Sequence, residues 1–273
     1  MNEELLVLKL EESDCRAIKN HEYANYSALQ VIDLPKNIEI IEDYAFYRCL
    51  ALEEIYLYAG IRRLGCGAFM GCKKLKKIVV REVEEDIHFL TEMLYDFQYE
   101  VEVELWYRDG RRAKLIFPEY YEEAVENTPA RIIDVVFHGS GYKYRQCISR
   151  RQMDYEKYDR LFSYAIAQEF SPTCIRIAQN RLRTPEALKE TAKERYVEYL
   201  REQAEELAKK VCREDDLPFL EILAKEAYFT EELLELFQNR ASLEGRAEMV
   251  SFLIDYRRIH LKPKKKTFDF DEF

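Results

Sequence analysis

His138, Gly139, Ser140 and Gly141, with Cys147 nearby, are the residues of this chain whose types come nearest to covalent chemistry. A serine nucleophile needs a base in hydrogen-bond reach, an acid to orient it, and a strained strand-to-helix elbow. The G-x-S-x-G frame of such an elbow is missing, and the chain holds only 4 histidines. The segment therefore reads as a glycine turn after the apolar run 132–137. A hydrolase would require His138 and Ser140 to face one cleft. Residues 142–151, from Tyr142, Lys143, Tyr144 and Arg145 to Arg150 and Arg151, mix basic and aromatic side chains with no acid between them. Such interleaving can hold single-stranded nucleic acid by stacking and phosphate contacts. The net charge of −10 argues against nucleic acid as the main partner. The seven cysteines (Cys15, Cys49, Cys66, Cys72, Cys147, Cys174, Cys212) are odd in number, scattered and without a C-x-x-C pair. Neither a disulfide framework nor a zinc site is indicated, so no metal, no cofactor and no catalytic residue are expected.

The elements that would have to position any site are dominated by a repeat. Leu29, Ile32, Leu34, Ile38, Ile41, Ala45, Phe46 and Cys49 recur 23 residues later as Leu52, Ile55, Leu57, Ile61, Leu64, Ala68, Phe69 and Cys72. A third copy opens with Leu75, Ile78 and Val80, and a degraded first copy runs through Leu8, Leu10, Ile18, Tyr23 and Ala24. Repeats of about 20–29 residues mark leucine-rich solenoids, whose coils bury apolar faces only by stacking. Alternation at Ile32/Leu34 and Ile55/Leu57 predicts a short strand per coil, and Ala-Phe plugs the coil end. The two cysteines at one repeat position read as small buried hydrophobes. The pattern L-x-x-I-x-L-P-x-x-I-x-x-I-x-x-x-A-F-x-x-C resembles the BspA-type leucine-rich repeats common in bacteria. That resemblance implies a binding surface, and members are mostly adhesins or unannotated intracellular proteins.

Side chains between the inward ones should line the exposed sheet face: Val31 and Asp33, Glu54 and Tyr56, Lys77 and Val79. Glu54 beside Lys77 predicts an attractive cross-strand pair. Tyr56, flanked by Tyr58, is the best anchor for a protein partner, because aromatics dominate interface hot spots.

Downstream, residues 82–97 have helical spacing, with acids ahead of the apolar positions. Residues 101–107 and 112–117 alternate around Asp109-Gly110, which is a hairpin signal; residues 119–127 read as helical up to Pro129. From Asp154 the pattern is helical, with stretches near 172–181, 185–211, 216–227, 230–243 and 246–258. Ser171-Pro172 and Thr184-Pro185 read as helix starts. Leu217, Leu220, Leu223 and Ala224 recur 30 residues on as Ala247, Val250, Leu253 and Ile254. Residues 245–254 are similar to the opening of an ankyrin inner helix, and a plain bundle is the alternative. The tail places Phe268, Phe270 and Phe273 among acids after a lysine run, either docked or offered as a peptide handle.

The resulting fold class is α+β: a short leucine-rich repeat solenoid (1–82), an α/β connector with a β-hairpin at 101–117 (83–150), an all-α repeat-like or bundle domain (151–260), and a flexible tail (261–273). The expected function is a non-catalytic scaffold or adaptor that binds another protein. The alternative is a nucleic-acid-associated accessory protein using residues 142–151 and the lysine tail. An acidic N-terminus without signal-peptide character, and no apolar run of membrane length, give a cytoplasmic expectation with no membrane partner.

Overall fold

The 23-residue period becomes a stack of coils. The computed structural model describes residues 6–11, 15–84, 86–127, 132–149 and 151–261. Its first strands are β1 (Val7–Lys9), β2 (Ala17–Ile18), β3 (Val31–Asp33), β4 (Ile40–Ile41), β5 (Glu54–Tyr58), β6 (Arg63–Leu64) and β7 (Lys77–Val83). β1, β3, β5 and β7 pair in parallel in one sheet, while β2, β4 and β6 form a second parallel sheet. Between the sheets the repeat positions meet. Leu29, Ile32, Ile41, Ala45, Phe46, Cys49 and their equivalents Leu52, Ile55, Leu64, Ala68, Phe69 and Cys72 are all buried. Tyr23, Phe46 and Phe69 form a ladder of stacked rings, with centroids 5.3 and 5.2 Å apart and planes within 7°. Burying each phenylalanine stabilises the stack by about 1.5–3 kcal/mol. The degraded first copy is thus a real coil, with Tyr23 standing where later coils have phenylalanine.

A second regularity is invisible in residue types. His21, Tyr44 and Gly67 all adopt left-handed backbone, with φ of 55, 55 and 62°. So do Asn25, Arg48 and Gly71, at 63, 56 and 82°. Both sets keep the 23-residue offset, so each coil turns twice through a conformation that disfavours a Cβ. At Gly67 a Cβ would also meet the Tyr44 ring at 2.7 Å, so the last coil has no room for a side chain there. These turns let backbone amides of one coil donate to carbonyls of the next: Tyr23 to Ala45, and Phe46 to Ala68, at 2.9 and 2.8 Å.

The last coil has no successor, and a side chain supplies the missing acceptor. After α1 (His88–Tyr95), Asp96 Oδ2 accepts from Phe69 N at 2.9 Å. Burial pushes the Asp96 carboxyl up from 3.8 to about 6, against the backbone amides of Phe69 and Gly67, which favour its charge. An acid with a raised folded-state pKa binds its proton more tightly folded than unfolded. Its protonated form therefore favours folding, and this contribution is lost as pH rises through about 6. Asparagine keeps the acceptor without titrating. Asp96→Asn should gain on the wild type by about 2 kcal/mol between pH 4.5 and 7.5, read from urea midpoints at both pH values. A gap that does not move with pH would contradict this role.

The hairpin extends the same sheet. β8 (Val101–Tyr107) pairs with β7 in parallel, and β9 (Arg112–Phe117) pairs antiparallel with β8, giving the order β1-β3-β5-β7-β8-β9. β7 runs on to Val83 through a bulge, with Glu82 at φ 52°, so α1 begins at His88 rather than near residue 82. Residues 119–127, read from sequence as helical, instead contribute β10 (Tyr121–Asn127), antiparallel to β11 (Ile132–His138). The β-branched run of β11 needs a hydrogen-bonding neighbour, and that overrides the helix propensity of Glu and Ala. Then come α2 (Gly141–Arg145), β12 (Ile148–Ser149), β13 (Gln152–Met153), α3 (Tyr155–Arg160), α4 (Phe162–Gln168) and α5 (Ser171–Arg183). Ser171 lies inside α5, whose N-cap is Phe170, and Thr184 ends α5 instead of opening a helix. Its Oγ1 accepts from Lys114 N at 2.8 Å, which fastens the end of α5 to β9.

The chain divides into two compact units, Met1–Lys193 and Glu194–Phe273, so the expected boundaries at 82 and 150 fall within the first. The expected helix 185–211 is two helices, α6 (Glu190–Glu202) and α7 (Ala204–Arg213). α8 (Leu217–Lys225), α9 (Glu231–Leu243) and α10 (Ala247–His260) follow. α7, α8 and α9 end alike, with left-handed residues Asp215, Ala227 and Gly245. In each case the next amide reaches back five residues: Asp216 to Val211, Tyr228 to Leu223, Arg246 to Ala241. This Schellman geometry turns the chain sharply and satisfies the terminal carbonyls. Among the described residues, no helix is long and apolar enough to cross a membrane.

Candidate interaction surface

Register places one side chain per strand in each row of the exposed sheet face. One row runs Val7, Val31, Glu54, Lys77, Glu102, Ile116; the next runs Lys9, Asp33, Tyr56, Val79, Glu104, Lys114; the first row closes at its β9 end, where Ile116 is fully buried and Asn180 of α5 donates to Glu102. Val31, Asp33, Glu54, Tyr56, Tyr58 and Lys77 are partly exposed, as expected for a face. Val79 is not: it is fully buried. Lys77 and Arg81 flank it on its own strand, and Tyr56 and Glu104 sit opposite it. Four longer side chains close over the small valine, so it cannot line an accessible surface. Phe268, Phe270 and Phe273 lie outside the described residues.

Glu54 and Lys77 are in register but do not pair. Lys77 Nζ lies 3.1 Å from Glu104 Oε1, while the Tyr56 hydroxyl donates to Glu54 at 2.6 Å. The Glu54 bond, helped by partial burial, raises the Tyr56 pKa and keeps the ring fixed as a neutral donor. Burial opposes the charge on Glu104, yet the Trp106 indole N–H and the Lys77 ammonium hold its carboxyl below the usual range.

Beyond this polar row the face becomes aromatic and basic. Arg81 lies over both Tyr56 and Tyr58, with its guanidinium carbon 5.1 and 5.5 Å from the ring centroids, and pairs with Asp33 at 2.7 Å. Arg112 stacks 4.0 Å over Trp106 and is exposed. A depression of about 470 Å³ opens here, lined by Lys36, Tyr58, Arg81, Glu82, Trp106, Tyr107, Arg108, Gly110 and Arg112. An adjoining one of about 660 Å³ shares Lys36, Tyr58, Glu82 and Arg108 and adds Glu84 and Asp86. Sequence reading found Tyr56 and Tyr58 but missed Trp106, Arg108 and Arg112. The antiparallel register of β8 and β9 sets Trp106 opposite Arg112, on one side of the hairpin. Only the parallel pairing of β8 to β7 puts that side beside Tyr58.

The residues that suggested other chemistry sit elsewhere. His138 Nε2 lies 2.7 Å from Glu123 Oε2, and its ring stacks on Tyr121. Ser140 is fully buried, and its Oγ has no hydrogen-bond partner among the described residues. The two therefore form no nucleophile–base pair, and the hydroxyl is closed to a substrate. Burial pushes the Cys147 thiol up to about 12, far from a thiolate at neutral pH. Within 142–151, Tyr144 and Arg145 are buried, Tyr142 stacks on Phe137, and Arg151 pairs with Asp86. Arg150 and the lysine tail lie outside the described residues. Among the described residues, no group of three or more His, Cys, Asp and Glu side chains is arranged to hold a metal ion.

A family model described as the BspA type leucine rich repeat region matches residues 3–93, in six copies. That span covers the stacked coils and all but the last two residues of α1. No curated protein and no solved structure matches the chain.

Proposed function

We propose that the chain is a non-catalytic cytoplasmic scaffold that binds another protein through the exposed face of its six-stranded sheet. Leucine-rich repeats of this kind commonly serve protein interaction, because stacking closes the core and leaves an extended surface outside. One observation carries the reading for this chain. Tyr56, Tyr58 and Trp106 stay partly exposed on this face, with Arg81 and Arg112 lying over their rings. Rigid aromatic side chains with polar tips lose little freedom on docking and make strong anchors. The helical unit would add a second surface. Its pairs α7–α8 and α9–α10 read as degenerate ankyrin-like units, supported by the 30-residue offset of Leu217 and Ala247 at matching helix starts and by the shared left-handed Asp215 and Gly245.

The test is affinity capture from the native host with the full chain and with Tyr58→Ala/Trp106→Ala, followed by titration of each recovered protein. Losing two central anchors should weaken binding by about 2 kcal/mol or more, roughly 30-fold, with thermal unfolding unchanged. Equal affinity of every recovered protein for both chains would remove this face from the account.

A further inference from the structure

The basic end of the face is a local reversal of charge. The whole chain carries −10, and in the neighbouring rows of the same sheet Glu102 and Glu104 are matched by the lysines Lys114 and Lys77 that pair with them. The 470 Å³ depression is nonetheless lined by four cations, Lys36, Arg81, Arg108 and Arg112, against the single carboxylate Glu82. The four are not equivalent. Arg81 is satisfied by Asp33 and serves to hold the tyrosine rings. Lys36 and Arg108 make only exposed pairs, both with Glu82 and Arg108 also with Glu84, which an incoming carboxylate can exchange. Arg112 has no carboxylate partner among the described residues. Its guanidinium carbon lies 4.0 Å from the Trp106 ring centroid, and among the described residues its N–H donors have no hydrogen-bond acceptor, so they are open to a second planar group.

Resting on the scaffold reading, we propose that this end of the face recognises an acidic peptide segment of the partner, with one carboxylate taken by Arg112 and an apolar side chain seated between Trp106 and Tyr58. A fixed guanidinium edge suits the two parallel bonds of a carboxylate, and the flanking rings suit a short apolar group. A nucleic acid would fit worse. A polyanion long enough to leave the depression enters the field of a chain carrying −10, with Glu84 and Asp86 lining the adjoining depression. A peptide with two or three carboxylates ends before it does.

The experiment selects a displayed library of random 12-residue peptides on the full chain, in parallel with Arg112→Glu. Enriched peptides are then made synthetically and titrated by fluorescence anisotropy. Arg112 is exposed, so both chains should show the same thermal unfolding. Peptides enriched on the native chain should carry at least two Asp or Glu within five residues. Their affinity should fall tenfold or more in Arg112→Glu, several-fold in Arg112→Lys, and again on raising salt from 50 to 300 mM. Peptides without acids, insensitive to Arg112→Glu but lost in Tyr56→Ala, would overturn the acidic-ligand assignment and leave the scaffold reading standing. No enrichment on either chain would overturn both. A single-stranded oligonucleotide that displaces the peptides at equal or lower concentration would give the depression to nucleic acid and overturn the peptide.

Discussion

Arg145→Met should remove about 3–5 kcal/mol from the unfolding free energy of the first unit, measured by urea titration of the full chain. Arg145 is fully buried and donates to five backbone carbonyls. Nε reaches Leu94 at 2.9 Å; Nη1 reaches Pro118 and Gly141 at 2.6 and 3.1 Å; Nη2 reaches Phe97 and Tyr99 at 3.2 and 2.9 Å. One side chain thereby ties the end of α1 to the exit of β9 and the start of α2. Its ring contact is Tyr120, 4.7 Å from the guanidinium carbon. Methionine replaces most of the volume but none of the donors. Each carbonyl left unsatisfied costs about 1–3 kcal/mol, less where water can enter. One term opposes this loss. Burial depresses the Arg145 pKa to about 10, so removing the charge recovers some desolvation energy. Five lost charge-assisted bonds outweigh one relieved cation. The packing beside Arg145 leaves no room for a side chain at Gly141, where a Cβ would lie 2.1 Å from the Pro118 carbonyl. Arg145→Lys, with three donors for five acceptors, should fall between the two. A loss below about 1 kcal/mol in Arg145→Met would mean that these segments are held by other contacts.

Arg145 also shows where sequence reading stops. Within 142–151 it looked like a surface cation beside aromatics, and nothing in its neighbours signals five carbonyls converging from positions 94 to 141. The solenoid was legible because its determinant is periodic. Ile32, Ile55 and Ile78 share one environment, and a fixed offset reports that directly. The left-handed turns have the same period but were hidden, because tyrosine and arginine occupy at 44 and 48 what glycine occupies at 67 and 71. Alternation gave the correct side for Val79 but not its exposure, which depends on the length of its neighbours. β10 was misread because Glu and Ala favour a helix locally, whereas the need of β11 for a partner is not local. The break between α6 and α7 falls at Gln203, which carries no breaker chemistry. The missed half of the candidate site has the same origin, since Trp106 and Arg112 reach Tyr58 only through a strand pairing that joins residues 77–83 to 101–107.

The support beneath Arg112 gives the second large effect. Asp159→Ala should destabilise the first unit by about 3–5 kcal/mol, because it takes from a buried guanidinium the carboxylate that accepts two of its bonds. Asp159 Oδ1 and Oδ2 accept from Arg181 Nε and Nη2 at 2.7 and 3.0 Å, and both side chains are almost wholly buried. Arg181 also donates to the carbonyls of Thr184 and Glu186 at 3.2 and 2.9 Å, and lies 5.1 Å over the Tyr155 ring. The pair therefore fixes the exit of α5. Thr184 in turn accepts from Lys114 N, and Glu186 pairs with Arg111, so the same turn braces the start of β9 on either side of Arg112. A double variant, Asp159→Leu/Arg181→Met, removes the buried charge as well as the bond and should recover at least about 2 kcal/mol of the single-variant loss. Amide exchange at Lys114 distinguishes bracing from bulk stability. If the turn holds β9, that amide should lose protection in Asp159→Ala by more than the fall in global stability requires. A double-variant loss equal to the sum of the single losses would show that the two side chains act independently, and that β9 owes its position to the sheet alone.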